Sequence, residues 1–193
     1  LATHFRFRKR LDSNTPGQSR DDGPIDVQLV RSRDGRTWRR FEDRAPVIAN
    51  GPHEYDLGCI LGLANLPVVA GDEMWMYYTA INTTHGGALP EKQVSIARAA
   101  WRLDGWASWH AGSTGGWLET RPMSAAGQCL LVNAAARSGE IRVGLRNAEG
   151  RPLPGYTESD CVPIIGDGVR QPVRWKGGPT LPPEGLVSLR VMM

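Results

Sequence analysis

The chain has 193 residues, of which 40% are hydrophobic and 22% charged, an ordinary globular composition. Its formal charge of +3 comes from residues 1–44, where the basic residues alternate along apparent strands and turns instead of clustering on one face, so we expect no binding to nucleic acid. The longest apolar stretch, residues 58–71, contains Asn65 and Pro67 and is shorter than the ~20 residues that a membrane-spanning helix needs, so we expect no membrane span.

Apolar residues recur with the period of two that is typical of β-strands, and no long segment has a helical period. In chain order, strands are predicted over residues 26–33, 56–61, 73–80, 93–101, 141–146 and 187–191. The 23 glycines and 14 prolines favour tight turns between many short strands. We therefore predict an all-β fold.

The composition changes near Asp104. Before this residue the strands are rich in Trp, Tyr and Met, and after it they are shorter, contain Leu, Val and Ala, and are joined by Gly-rich turns. We therefore predict two domains, over residues 1–103 and 104–193.

The segment Ser32–Trp38 has the clearest local pattern. Between two strands, the side chain of Asp34 can accept hydrogen bonds from the turn backbone, Gly35 provides a positive φ, and Trp38 begins the returning strand. This pattern resembles a shortened Asp-box, the hairpin of sialidase-like and other sugar-handling propellers. The resemblance implies a structural role in which Trp38 packs between sheets.

The resemblance extends along nearly the whole chain after about Asp22. The matching segments resemble the closing blades of five-bladed β-propeller glycoside hydrolases related to invertase, levansucrase and arabinanase, in particular bacterial invertase-like or sialidase-like hydrolases. These segments are residues 27–35, 38–40, 43–44, 55–58, 71–78, 102–106, 118–122, 131–134 and 155–156. The resemblance implies the last one to two blades of a β-propeller over 1–103, followed by a truncated C-terminal β-sandwich over 104–193.

A propeller closes its ring with several four-stranded blades, and residues 1–103 supply at most two. We therefore expect the chain to be a C-terminal fragment whose partner is the set of N-terminal blades of the same protein. The family resemblance further implies a carbohydrate ligand, a secreted or periplasmic location and no cofactor.

Glycoside cleavage requires two carboxyl groups that flank the bond, and the blades that carry the usual pair would lie upstream of Leu1. The predicted function is the C-terminal part of a glycoside hydrolase-like protein that binds and hydrolyses a saccharide in a pocket on the propeller axis. The alternatives are a non-catalytic glycan-binding module and a structural β-sandwich, and the sequence leaves open whether the chain is an enzyme.

Asp56 is the candidate catalytic residue, because it opens a segment that we interpret as the inner strand of the last blade. It would transfer a proton, bind sugar hydroxyls or cap a strand. Adjacent strand residues point to opposite faces, so only one of Asp56 and the candidate substrate-binding residue Tyr55 would face the pocket.

Two further residues are candidates for substrate binding. His85 lies in a Gly-flanked loop, where it would bind a sugar hydroxyl, assist proton transfer near neutral pH, contact a metal, or remain an exposed loop residue. Arg44 would form an ion pair with Asp43 or bind an anionic sugar.

The three cysteines lack the spacing of a zinc or redox motif, and we predict no metal site. Cys129 and Cys161 either pair with each other or remain free thiols.

Overall fold

The computed structural model describes residues 1–16, 18–124, 127–182 and 185–193. Within these residues the chain is all-β, as predicted, with sixteen strands, one 3-10 turn at Glu54–Asp56 and no α-helix. In this described part, no helix has the length and hydropathy needed to cross a membrane. The chain divides into two compact units, Leu1–Arg102 and Leu103–Met193.

The first unit contains a seven-stranded sheet and two small hairpin sheets. Its strands are β1 (Ala2–Phe5), β2 (Lys9–Arg10), β3 (Asp21–Asp22), β4 (Ile25–Gln28), β5 (Val30–Arg31), β6 (Arg39–Arg40), β7 (Pro46–Ile48), β8 (Cys59–Leu61), β9 (Val68–Ala70), β10 (Glu73–Ile81) and β11 (Val94–Arg102). The large sheet has the order β1-β4-β8-β10-β11, with β7 beside β4 and β9 beside β10. Strands β4 and β8 are parallel, and β2–β3 and β5–β6 form the two small sheets.

The core of the first unit follows from the alternation along β10. Met74, Met76 and Tyr78 are buried, whereas Trp75 and Tyr77 on the other face are partly or largely exposed, as the period of two predicts. From this buried face, Tyr78 and Ala80 belong to an apolar cluster that also contains Val27, Ile48, Ile60 and Ala97. Burial of a large apolar side chain stabilises the fold by roughly 1.5–3 kcal/mol, so this cluster holds β4 against β8 and β10.

The second unit contains one five-stranded sheet. Its strands are β12 (Trp117–Glu119), β13 (Met123–Ser124), β14 (Leu131–Arg146), β15 (Ile164–Pro172) and β16 (Leu186–Met192). The order is β12-β16-β14-β15, with β13 beside β16. The long strand β14 pairs with β15 along its first part and with β16 along its last five residues. In the core of this unit, Nε1 of Trp175 donates a hydrogen bond to the carbonyl oxygen of Val143 at 2.6 Å.

The turn between β5 and β6 has the hydrogen bonds that its sequence predicts. Oδ1 of Asp34 accepts bonds from the backbone N–H groups of Thr37 at 2.7 Å and Arg36 at 2.9 Å, and Gly35 has a φ of 70°. These bonds hold the pKa of Asp34 well below its ordinary value.

The predicted packing of Trp38 between sheets is wrong, because its side chain is 59% exposed. Strands β5 and β6 pair only with each other within the described part of the chain, and each is two residues long. So small a hairpin offers little apolar surface to cover an indole ring. The finer architecture of propeller blades and a sandwich stays a prediction.

Candidate functional site

Strand β4 divides its side chains between the core and a polar face. Ile25 and Val27 are buried in the apolar interior, and Asp26 and Gln28 alternate with them on the opposite face, because successive strand residues point to opposite sides. Both polar residues are nevertheless nearly inaccessible, with 3% and 4% of their surface exposed. In the neighbouring strand β1, His4 lies directly opposite Asp26.

Two side chains, the imidazole ring of His4 and the guanidinium group of Arg6, contact the carboxylate of Asp26. Its Oδ1 lies 3.1 Å from Nδ1 of His4, and its Oδ2 lies 3.2 Å from Nε of Arg6. Arg6 also donates a hydrogen bond to Oδ1 of Asn50 at 2.8 Å, and Asn50 donates to the carbonyl oxygen of Ile25 at 2.8 Å. Both oxygens of this buried carboxylate are therefore engaged, as buried charged groups require, and its orientation is fixed.

The polar face continues beyond Asp26. Nε2 of Gln28 lies 2.9 Å from Nδ1 of His4, and its amide oxygen accepts a hydrogen bond from the guanidinium group of Arg40. On the other side of the imidazole ring, a terminal nitrogen of Arg44 lies 3.4 Å from Nε2 of His4. The residues form one connected network.

This network forms the wall of an open concavity of about 460 Å³, within the size range of small-molecule sites. The residues around it are His4, Arg6, Asp26, Gln28, Arg44, Pro46, Ala49 and Asn50. Two arginines and one aspartate give this lining a formal charge of +1 when His4 is neutral, so the concavity favours a polar or anionic ligand.

A second concavity of about 420 Å³ is lined by Leu1, Ala2, Val30, Trp38 and Arg40. Its lining combines an exposed indole with apolar side chains and one guanidinium group. The hydrogen bond between Gln28 and Arg40 joins a lining residue of the first concavity to one of the second, so the two lie side by side on the first unit.

Asp56 lies outside both linings. It belongs to the 3-10 turn and not, as the sequence suggested, to a strand, and only 2% of its surface is exposed. Its Oδ1 accepts a hydrogen bond from the backbone N–H of His53 at 3.1 Å, and its Oδ2 accepts one from the hydroxyl group of Tyr78 at 3.2 Å. The first bond closes the turn, and the second links it to β10.

Tyr55 and His85 also lie outside the two linings. The Tyr55 ring stacks on His53 with ring centroids 5.0 Å apart. Nδ1 of His85 lies 3.0 Å from the carbonyl oxygen of Asp21, and its ring lies 5.2 Å from that of Phe5. Each side chain has a structural partner in its own surroundings.

Arg44 is the predicted site residue that the structure places at the first concavity. Its neighbour Asp43 accepts a hydrogen bond from the backbone N–H of Ala45 at 3.2 Å, which closes the turn in which Arg44 lies. The structure therefore does not bring the four predicted site residues together. Arg44 instead lies among the other lining residues of the first concavity, which the sequence analysis did not indicate.

The residues that sequence reasoning missed are mainly His4, Arg6, Asp26, Gln28 and Asn50. The alternation of Asp26 and Gln28 with apolar residues was a usable signal, because it predicts a polar face on β4. The partner strand β1 had no such signal, and its pairing with β4 spans 22 residues of sequence at the bond between His4 and Asp26.

Among the described residues, no group of three or more His, Cys, Asp and Glu side chains is placed to hold a metal ion. The three cysteines are free thiols, with Cys59 and Cys161 buried and Cys129 exposed. Burial raises the pKa of both buried thiols, which disfavours the reactive thiolate.

Comparison of the chain with models of known protein families, with curated proteins and with solved structures found no match. The resemblance to propeller glycoside hydrolases stays a prediction from the sequence motifs. We therefore infer a function from the concavity itself.

Proposed function

We propose that the concavity beside β4 binds a saccharide and that this chain is the glycan-binding part of a glycoside hydrolase-like protein. The observation that carries this proposal is the buried carboxylate of Asp26, fixed by His4 and Arg6 at the wall of an open concavity of about 460 Å³. The propeller and sandwich architecture, and a secreted or periplasmic location, belong to the same proposal.

The side chains around the concavity suit sugar hydroxyl groups, which both donate and accept hydrogen bonds. Asp26 is nearly inaccessible and fixes His4 and Arg6, whose more accessible side chains can bond to the hydroxyl groups. The network among these side chains fixes them before the ligand arrives, and such preorganisation lowers the entropy cost of binding.

The second concavity supports a ligand longer than one sugar. Trp38 offers an exposed aromatic face, and a sugar presents an apolar C–H face that packs against such a ring. Arg40 lines this concavity and bonds to Gln28 of the first. Adjacent sugar units of one oligosaccharide would therefore occupy the two concavities.

The geometry favours binding over hydrolysis. Hydrolysis needs two carboxyl groups about 5–10 Å apart, and in the described part of the chain Asp26 is the one acidic residue that lines the first concavity. Asp56 is engaged by His53 and Tyr78. We therefore propose the non-catalytic role for this chain.

The proposal is tested by calorimetric titration of the full chain with a panel of plant and microbial oligosaccharides, together with an assay for released reducing ends. We expect binding without hydrolysis, and Asp26→Asn should weaken binding at least about tenfold, because the amide no longer holds both His4 and Arg6 and a hydrogen bond to a charged group contributes about 1.5–3 kcal/mol. His4→Gln, at a half-buried position, is a second variant in case Asp26→Asn does not fold.

The matched control is Asp21→Asn, which removes the same charge from a carboxylate that is about half exposed and lies outside both linings. It should bind like the parent chain. Failure of every oligosaccharide to bind, or equal affinity of the Asp26→Asn variant and the parent chain, would contradict the proposal.

A further inference from the structure

The charge of Arg44 is not neutralised by the network around it. Arg6 forms an ion pair with Asp26, whereas the guanidinium group of Arg44, among the described residues, has one polar side-chain contact and no ion pair. That contact is to a ring nitrogen of His4 at 3.4 Å. The first concavity therefore contains one exposed positive charge whose donors are mostly unused.

One tautomer of His4 satisfies more of its contacts than the other. A proton on Nδ1 satisfies the contact to Asp26 at 3.1 Å and leaves Nε2 free to accept from Arg44. A proton on Nε2 would satisfy only the contact to Gln28. The first tautomer satisfies two of the three contacts, one of them charge-assisted, and leaves out the contact to Gln28. In this tautomer the neutral ring contacts Arg44 without neutralising its charge.

The backbone also fixes Arg44. Its φ of 50° lies in the left-handed region, which is unfavourable for a residue with a Cβ atom. The turn is held by a hydrogen bond from the N–H of Arg44 to the carbonyl oxygen of Phe41 at 3.2 Å and by the bond between Asp43 and Ala45. The guanidinium group therefore extends from a constrained backbone at the edge of the concavity.

We propose that the saccharide bound beside β4 is acidic, and that a uronate carboxylate of the sugar binds the guanidinium group of Arg44. This inference rests on the proposed saccharide-binding function and specifies its ligand class. A guanidinium group matches a carboxylate with two parallel N–H···O bonds. A neutral sugar would leave the charge of Arg44 without a counterion, whereas a uronate neutralises it.

The test uses the full chain and short oligomers of galacturonate, glucuronate and mannuronate, each compared with its carboxyl-reduced counterpart. The reduced sugar retains the ring and linkage and replaces the carboxylate with a primary alcohol. We expect at least one acidic oligomer to bind roughly tenfold more tightly than its reduced form, the effect of one charge-assisted hydrogen bond. The preference should decrease as salt is added, because Arg44 is exposed.

Arg44→Gln should bring the ratio of acidic-oligomer to reduced-oligomer affinity close to one, and Arg44→Lys should retain part of the preference because the charge remains. Arg33→Gln removes the same charge from an exposed residue of the β5–β6 turn and is the matched control, which should keep the full preference.

Equal affinity for acidic and reduced oligomers, or an unchanged preference in Arg44→Gln, would overturn the proposal that the ligand is acidic. The saccharide-binding function would still stand if binding depends on Asp26. Tight binding of sulfated oligomers with no binding of uronates would also overturn it. If no acidic or neutral oligomer binds, the proposed function itself fails.

Discussion

The hydroxyl group of Tyr78 donates a hydrogen bond to Oδ2 of Asp56 at 3.2 Å, which links the middle of β10 to the 3-10 turn before β8. The other oxygen of Asp56 accepts a bond from the backbone of His53. Both oxygens of this buried carboxylate therefore have protein partners, and its role in the structure is to hold the turn.

Replacement of Asp56 should affect stability and not ligand binding. We expect Asp56→Ala to lower the free energy of unfolding by about 1–3 kcal/mol, because the hydroxyl group of Tyr78 and the N–H of His53 lose their acceptor. Urea denaturation measures this change. A stable Asp56→Ala variant with weakened saccharide binding would instead show that Asp56 takes part in binding.

The same contact predicts a loss of stability at alkaline pH. Burial, and then the charge of Asp56, raises the pKa of Tyr78 to about 12 from the ordinary value of 10.0. The stability that Tyr78 contributes is therefore fully present below pH 10 and is lost as the pH rises through about 12, since only the unfolded chain ionises this tyrosine readily.

Urea denaturation across this pH range should show the decline, and Tyr78→Phe should make it shallower. Tyr77→Phe, at a residue with 41% of its surface exposed, is the control and should leave the decline as it is. An identical pH profile for the parent chain and Tyr78→Phe would show that the loss of stability at alkaline pH does not come from Tyr78.

The two tryptophans Trp38 and Trp175 should respond in opposite ways to replacement by alanine. Trp38→Ala should change stability by less than about 0.5 kcal/mol, because the side chain is 59% exposed, and it should weaken binding of longer oligosaccharides. Trp175→Ala should cost roughly 3–5 kcal/mol, because the ring is buried.

Thermal melting and calorimetric titration of both variants check this contrast. A large loss of stability in Trp38→Ala would show that the indole is buried after all. If Trp38→Ala binds every oligosaccharide with unchanged affinity, the second concavity is not part of the proposed site.

The thiols should react in an order set by their burial. Cys129 is exposed, and Cys59 and Cys161 are buried with raised pKa values, so one thiol should react quickly with a thiol reagent under native conditions. The buried pair should react only after denaturant is added. Mass spectrometry of the modified peptides identifies each site, and fast labelling of Cys59 would contradict the packing of β8.

The sequence predicted strands well where residues that favour strands lie close together in the chain. Strands β10 and β11 lie within one residue of their predicted bounds, because aromatic and β-branched residues, which favour strands, recur along both. The Asp34 turn is equally local, since its hydrogen bonds join residues no more than three positions apart. Such features depend on neighbouring residues alone.

The candidate site was not predictable in the same way. Asp26 became a site residue only through its pairing with His4 and Arg6, which lie in a distant segment. Asp56 lies in a 3-10 turn whose three residues break the period of two. The position of Asp26 at the concavity and the burial of Asp56 depend on tertiary contacts that cannot be read from local sequence patterns.

The alternation along β4 separates the proposed binding face from the apolar core. Asp26 and Gln28 lie outside the apolar cluster, so replacing them changes the hydrogen bonds of the proposed binding face and leaves the volume of the cluster unchanged. A one-residue insertion in β4 would have the opposite effect. It would turn the carboxylate inward and Val27 outward, and would abolish the fold and the site in a single step.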